Sequence, residues 1–441
     1  MTPAMLDQFK QIPNQLKSGV GKAKTALSAR AEQQGKHLVA LDVGTEFVKA
    51  LVGKIKGDQV EIIGVGRQRQ GLSDMHSGAI SDIAAVVANC DQALTEAETQ
   101  AGVSARRAII GIAGELVQGT TSTIRYKRPE PGKEITIEEM TYILDRVQKR
   151  AYERAKKQVA WETGNQDIDV KLVNSAIVAI HIDAYKVSNP IGFQGKDVAI
   201  QIYTAFAPMI HIGALERTAT ELDLELIAVA AEPFAVTRAV IGGDASSALS
   251  AITIDVGGGT TDIAVVNDGG VEGTKMFGIG GRAFTRGIMT ALNIDFEGAE
   301  AIKLKLGSGE LENETAAKAL AAVQKTLGVW LNGVKLGLGE FRHLDLLPNQ
   351  ILLCGGGASL KPLTEALAGA EWRTGLPFTK PPEVRLLDPK EAVGLVDLSG
   401  KVLDHNYITA MGLLRVGLDT LQSGDSDPSS VREKLNKILS I

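Results

Sequence analysis

Two short stretches 213 residues apart restrict this chain more than anything else in it. Residues 39–52 read VALDVGTEFVKALV and residues 252–266 read ITIDVGGGTTDIAVV. Each is an apolar run closed by Asp-Val-Gly, followed by threonine and a second apolar run. That order predicts a buried strand, a tight turn and a returning strand. Matching starts in two halves are most simply an internal duplication, since the period is far too long for a solenoid repeat. The surroundings repeat as well. After HLVALDVG come FVKALVGKI and QVEIIGVGRQ as strands, then a helix with Val86, Cys90, Ala93, Leu94 and Ala97 on one face, then the strand RAIIGIAG. The second half gives strand, Gly-rich turn, strand, turn and strand, then helices and the short buried strand ILLCGGG. The expected class is α/β: two similar domains of mixed sheet with helical cover, facing each other.

Composition narrows the function by exclusion. With 441 residues, 44% hydrophobic and 22% charged, the chain is globular in class and long enough for two to four domains. A net charge of −5 excludes a whole-chain basic footprint, so no nucleic acid partner is expected. Glycine, at 48 residues, exceeds its usual share, while aromatics are only 4%. Extra glycine with few rings favours close backbone approach to a ligand and argues against base stacking. Cys90 and Cys354 are too few and too isolated for a disulfide framework or a zinc site, which points to a reducing cytosol. The start, MTPAMLDQFKQIPNQLKSG, lacks the apolar core of a secretory signal, and no run in the chain is long enough for a spanning helix, so any membrane contact is expected to be peripheral.

Between the halves lies a block of different character. ITIEEMTYILDRVQKRAYERAKKQVAWE is a highly charged helix, opened by Thr136 with Glu139 three residues on, a capping-box pattern. Two β-rich runs, VKLVNSAIVAIHIDAYKV and VAIQIYTAFAP, flank the turn SNPIGFQGK. The block reads as a small α+β insertion.

Chemistry is expected at the turns. Backbone N–H groups of a glycine turn can approach phosphate oxygens, and threonine adds a hydroxyl donor. An Asp at the strand end cannot bind phosphate but can hold Mg²⁺ through water. Asp42, Gly44 and Thr45 form the first such turn, which a merely tight turn would explain as well. Asp255, Gly257, Gly258, Gly259, Thr260, Thr261 and Asp262 form the second, and so much bare backbone between apolar strands has no simple structural explanation. Two such turns at matching positions suggest a phosphate clamped between two domains. Gly355, Gly356, Gly357, Ala358 and Ser359 make a third turn, which either lies against a flat adenosine face or simply packs tightly. The chain lacks GxxxxGK[ST], and no GxGxxG follows an opening strand, which argues against P-loop and Rossmann sites.

Together these residues resemble the actin-like ATPase superfamily. Asp42 to Thr45 is similar to its first phosphate loop, Asp255 to Asp262 to its second, and Gly355 to Ser359 to its adenosine loop. Ala231-Glu232-Pro233-Phe234-Ala235 and Ala410-Met411-Gly412 are similar to its two inter-domain connectors. Within the superfamily GVGRQRQGLSDMHSGAISDIAAVVANCDQALTEAE, NPIGFQGKDVAI and FEGAEAIKLKLG resemble the FtsA cell-division family. The resemblance implies an actin-like fold of two RNase-H-like domains around a cleft for ATP and Mg²⁺. It implies Asp42 and Asp255 near the metal, Glu232 and Thr261 orienting water, and Glu300 and Lys303 at the nucleoside. It also divides the chain: an extension (1–36), a first domain (37–113 and 204–240), an inserted subdomain (114–203), a second domain (241–283 and 346–418), its subdomain (284–345), a linker (419–429) and an amphipathic helix (430–441). Implied partners are the FtsZ C-terminal tail through 284–345, other copies of the chain in filaments, other division proteins and the inner membrane surface.

Three departures stand out. The first 36 residues have no counterpart in typical FtsA, the charged helix block is longer around 154–169, and Glu232 resembles MreB, where that residue helps orient the attacking water. A helix-capping carboxylate on the surface is the alternative for Glu232. Two rivals remain from the same superfamily. One is a PilM-type adaptor that grips a peptide; the other is a sugar or acetate kinase, for which no distinctive cleft carboxylate is found.

The ends have a physical reading of their own. In VREKLNKILSI, Val431, Leu435, Ile438 and Leu439 form an apolar stripe beside Arg432, Lys434 and Lys437. Burying four aliphatic side chains offers at most about 6–12 kcal/mol before ordering costs. One copy then binds a membrane reversibly, and polymerisation supplies avidity. Packing on its own protein is the alternative, against which the linker SGDSDPSS argues. Residues 1–36 carry a local net charge of +4 and read as a solvated tail or a surface-seeking amphipathic segment.

Overall fold

The structure is a computed structural model and describes residues 36–242, 248–308 and 314–425. The expectations for 1–35 and for Val431, Leu435, Ile438 and Leu439 lie outside the described residues.

The first half opens with β1 (His37–Val43), β2 (Phe47–Lys56) and β3 (Gln59–Arg69), a two-stranded hairpin of β4 (Met75–His76) and β5 (Ala79–Ile80), α1 (Ile83–Ala101) and β6 (Arg107–Ile112). β1, β2 and β3 pair antiparallel, and β6 returns parallel to β1. α1 starts where the Asp82 side chain accepts from Ala85 N–H and stops at Gly102, which adopts φ +67°. Its buried face is Val86, Cys90, Ala93, Leu94 and Ala97, as the helical spacing requires. Gly66 lets that face lie directly on β3: a Cβ there would sit 1.8 Å from Ala93 O.

The insertion contributes β7 (Gln118–Lys127), α2 (Ile137–Thr163), β8 (Val170–Ile182), β9 (Tyr185–Val187) and β10 (Asp197–Pro208). Thr136 caps α2, its side chain accepting from Glu139 N–H. Ile143, Leu144 and Val147 bury the helix on Ile177, Ile180, Ile200 and Ile202 of the sheet. β10 runs unbroken through the expected boundary at 203/204, because it is paired along its length with β7 and β8. Then come α3 (Met209–Glu221), β11 (Glu225–Ala231) and α4 (Glu232–Ile241).

The second half repeats the first: β12 (Ala251–Val256), β13 (Thr261–Asn267) and β14 (Gly270–Phe277) pair antiparallel. α5 (Gly281–Leu292), α6 (Phe296–Ser308) and α7 (Glu314–Gly339) follow, and β15 (Gln350–Cys354) returns parallel to β12. α8 (Lys361–Ala368), β16 (Glu383–Leu386), β17 (Leu395–Asp397) and α9 (Ile408–Asp425) complete the described chain.

One sheet has the order β11-β6-β1-β2-β3-β17, so the last strand of the second half closes the edge of the first. The other runs β16-β15-β12-β13-β14-β7-β10-β8-β9. The insertion therefore extends the second sheet, joined by Gly273 opposite Thr120 and Thr274 opposite Gly119. The two connectors, α4 and α9, cross at bare backbone; a Cβ on Gly412 would lie 2.0 Å from Ala235 O. α9 continues past the expected domain end at 418. Arg415 Nε donates to Asp419 (3.0 Å), Arg238 Nε to the same carboxylate (3.0 Å), and Gln422 Nε2 to Asp58 Oδ1 (3.1 Å), which holds the extra turns on the first half. Among the described residues no helix is long and apolar enough to cross a membrane.

Candidate functional site

The duplicated strand–turn–strand units face each other across a cavity of about 220 Å³. The turn after β1 and the turn after β12 touch. A Cβ on Gly258 would meet Glu46 Cβ at 2.7 Å, and one on Gly259 would meet Thr45 Oγ1 at 2.6 Å. Part of the glycine run thus serves the contact between halves, a use that spacing alone does not reveal. Behind the second turn, Gly281 N–H donates to Gly257 O and Arg282 N–H to Gly258 O, both at 2.8 Å. The start of α5 is therefore held by the turn's own carbonyls.

Of the residues singled out in the sequence, Asp42, Gly44, Thr45, Glu232, Asp255, Gly257, Gly258, Thr260, Glu300, Lys303, Gly355, Gly356 and Gly357 line this cavity. Gly259, Thr261 and Ala358 do not. Thr261 is the informative exception: its hydroxyl donates to Ile279 O (2.7 Å) and accepts from Trp330 Nε1 (2.8 Å). With its proton and a lone pair committed in the core, that hydroxyl does not face a reacting water. Ala358 is buried in the apolar core of the second half.

The floor is acidic and buried. Asp42, Glu232, Asp255 and Asp262 are all buried, and strand register places Asp255 opposite Asp262. Glu232 is therefore no surface cap, although it begins α4. Burial raises its carboxyl well above the usual range, and the charges of Asp42, Asp262 and Asp255 push the same way. Burial likewise raises Asp262, helped by Asp255, and raises Asp255 despite the Thr409 hydroxyl that donates to it. Lys49 answers them. Its Nζ lies 2.7 Å from Asp42 Oδ2; burial would lower its ammonium, but Asp42, Asp255 and Glu232 hold it above its ordinary value.

At the mouth, Lys303 Nζ contacts Glu300 Oε2 (2.7 Å) and Thr285 Oγ1 (3.0 Å), and Arg282 Nε meets Glu46 Oε2 (2.7 Å) across the two halves. Arg69 of the first half bridges Glu46 and Glu297 at 2.8 Å each. Gly355, at φ +81°, turns the chain against Asp255; a Cβ there would sit 2.0 Å from Asp255 Oδ1.

Sequence reasoning passed over Lys49, Arg282 and Asn406 and gave Asp262 no role. Lys49 had a signal: a lysine inside the apolar run FVKALV, seven residues after Asp42, which a tight hairpin places directly opposite it. Asn406 had none.

The site suits a magnesium nucleotide on its own terms. Two buried acceptors lining the cavity, Asp262 Oδ1 and Asn406 Oδ1, have no hydrogen-bond partner. No three His, Cys, Asp or Glu side chains among the described residues are grouped to ligate a metal directly. Asp42 and Asp255 line the same cavity, and Mg²⁺ binds through one or two carboxylates plus phosphate oxygens while keeping several waters.

Comparison with known proteins bears on the family. The sequence model described as Cell division protein FtsA matches residues 252–412. Cell division protein FtsA of Pseudomonas aeruginosa is 27% identical over 420 residues, covering 89% of this chain and 92% of that protein. The Bacillus subtilis protein of the same name is 27% identical over 381 residues, with 81% of each chain covered. The chain is similar to FtsA. Similarity to FtsA extends over most of the chain, well beyond the stretch that the family model covers. The fold is the actin-like one: the solved structure titled PilM-PilN type IV pilus biogenesis complex matches with a TM-score of 0.62 at 15% identity, over 86% of this chain and 98% of that one.

Proposed function

We propose that this chain is an ATP-binding, actin-like protein of the FtsA type, which polymerises and tethers a cell-division polymer to the cytoplasmic membrane surface. The observation that carries the proposal is the cavity in which two duplicated turns, an acidic floor and a glycine third turn meet. In this reading Gly44, Thr45, Gly257, Gly258 and Thr260 receive phosphate oxygens, and Gly355, Gly356 and Gly357 lie along the adenosine. Glu300 and Lys303 flank the nucleoside. Asp42 and Asp255 orient the waters of Mg²⁺, which when bound supplies charge neutralisation of the phosphates. Glu232, buried and facing the cavity, positions a water for slow hydrolysis. Lys49, 2.7 Å from Asp42 Oδ2, holds that carboxylate in its orientation.

The assembly side of the proposal follows the family. The 430–441 segment anchors the chain at the inner membrane at the division site, 284–345 receives the FtsZ C-terminal tail, and further division proteins and other copies of the chain complete the partners. The division of the chain into two actin-like domains, two subdomains and two tails belongs to the same proposal.

Calorimetry with Mg·ATP and vesicle co-sedimentation test the two sides separately. Asp255→Ala should abolish heat of binding while circular dichroism stays native; unchanged affinity removes the cleft assignment. A chain ending at 429 should lose most of its co-sedimentation with anionic vesicles; co-sedimentation at full strength moves the anchor elsewhere.

A second reading, a PilM-type adaptor, has one observation in its favour. A groove of about 380 Å³ lies between the free edge of β8 at residues 171–176 and the edge strand β11 at 226–229. Two facing strand edges suit an extended peptide.

A further inference from the structure

The outer face of α2 carries a feature that the nucleotide cleft does not use. Tyr142, Arg146, Arg150, Arg154, Lys157 and Trp161 follow one another at spacings of four, four, four, three and four, so they form a single row along the helix. All six side chains are solvent-accessible, Trp161 by 82% and Tyr142 by 50%. The neighbouring face, with Ile143, Val147, Ala151, Ala155 and Val159, is buried on the sheet, so the exposed row runs along a rigid support. None of the four cations has a carboxylate within ion-pair distance among the described residues, whereas Lys156, just off the row, pairs with Asp169 at 2.9 Å. Arg146 instead stacks over the Tyr142 ring, 5.6 Å from its centroid. Beside the row lie Asp145, Lys149 and Glu153, also exposed, a local net charge of −1 against the four cations of the row.

A solvated helix face usually mixes both signs and spends little on large apolar rings. This one sets four cations, none paired with a carboxylate among the described residues, over roughly 16 Å and closes each end with an amphipathic aromatic, about 28 Å in all. Lysine and arginine beside anionic headgroups, with tryptophan and tyrosine seated at the headgroup level, is the chemistry of a bilayer interface. We propose that this row is a membrane-contact face for an anionic lipid surface, distinct from the 430–441 segment. Its effect is orientation: a contact row on a rigid helix of the body fixes which side of the molecule meets the bilayer.

The chain reports on this face itself. Of its three tryptophans, Trp330 and Trp372 are buried, so Trp161 dominates quenching by aqueous iodide. In the full chain, vesicles of phosphatidylcholine with phosphatidylglycerol should shift Trp161 emission to the blue and protect it from iodide, while pure phosphatidylcholine should do neither. Replacing the four cations together (Arg146→Gln, Arg150→Gln, Arg154→Gln, Lys157→Gln) should weaken binding to the anionic vesicles at least tenfold in low salt. Glutamine keeps the helix, and circular dichroism checks that it does. A separate full-length variant, Leu435→Glu with Ile438→Glu, disables the terminal stripe; the Trp161 response should persist in it at higher lipid concentration. If Trp161 stays open to iodide while the chain is on vesicles, the proposal is wrong. Protection by a polyglutamate peptide or a DNA duplex but not by vesicles overturns it equally.

Discussion

Replacing Lys49 by methionine tests the electrostatic design of the cleft directly. The side chain keeps its length but loses the ammonium that faces Asp42, Glu232 and Asp255. Lys49 Nζ sits 2.7 Å from Asp42, with side-chain exposures of 13% and 4%, so neither partner can turn to bulk water. Two routes are open to the variant without nucleotide. It can keep the carboxylates as they are, and breaking a buried pair this way costs about 3–5 kcal/mol. Alternatively one carboxyl takes up a proton, at roughly 1.4 kcal/mol per pH unit above its unfolded value near 4, so about 4 kcal/mol at pH 7. The routes agree at neutral pH, and the second becomes easier in acid. Urea unfolding in EDTA should show Lys49→Met losing about 4 kcal/mol at pH 7 and about 1.5 kcal/mol at pH 5. Adding Asp42→Asn should restore most of the loss, because it removes the orphaned charge. Equal losses at the two pH values, or a double variant as weak as the single one, would refute the reasoning.

Gly355 and Gly375 both hold positive φ, +81° and +88°, but only Gly355 faces a wall, with nothing within 4 Å of a Cβ on Gly375. Alanine at either site should cost about 1–3 kcal/mol of backbone strain, and at Gly355 overpacking should add about 1–3 kcal/mol and displace Asp255. Denaturation curves and Mg·ATP calorimetry on the pair check this; equal costs would mean the third turn yields freely. Glu232 supplies a pH signature. Its carboxyl is raised by burial and then by neighbouring carboxylates, so its contribution is complete below the ordinary value of 4.5 and is lost as pH rises through the folded value. The chain without nucleotide should therefore be less stable at pH 8 than at pH 5.5, and Glu232→Gln should flatten that dependence; parallel pH profiles would show that Glu232 is not held protonated.

What the sequence revealed and what it hid differ in the range of the interactions involved. The repeated Asp-Val-Gly turns were legible because each is written in consecutive residues: an apolar strand, a glycine turn, a return. The same locality located α1 with its buried face and Thr136 as the cap of α2. Glu232 was legible as a residue worth attention, but its burial was not, because the Gly111 backbone packed against it comes from a strand more than a hundred residues earlier. The insertion was recognisable by composition, yet its attachment to the second sheet depends on two pairs, Gly119 with Thr274 and Thr120 with Gly273, which no short pattern announces.

Thr261 carries the sharper lesson. It stands in the most suggestive motif of the chain, and in that motif a threonine hydroxyl reads naturally as a ligand or water contact. Alternation along β13 decides otherwise: Thr260 and Asp262 point into the cavity, so Thr261 points away, to Trp330 in the core. A period of two, applied backward from Asp262, makes that assignment from residue order alone. Lys49 is the converse case, since the same alternation and the hairpin register from Asp42 put its ammonium in the cleft. The motif says where a site is; the strand period says which of its residues can reach it.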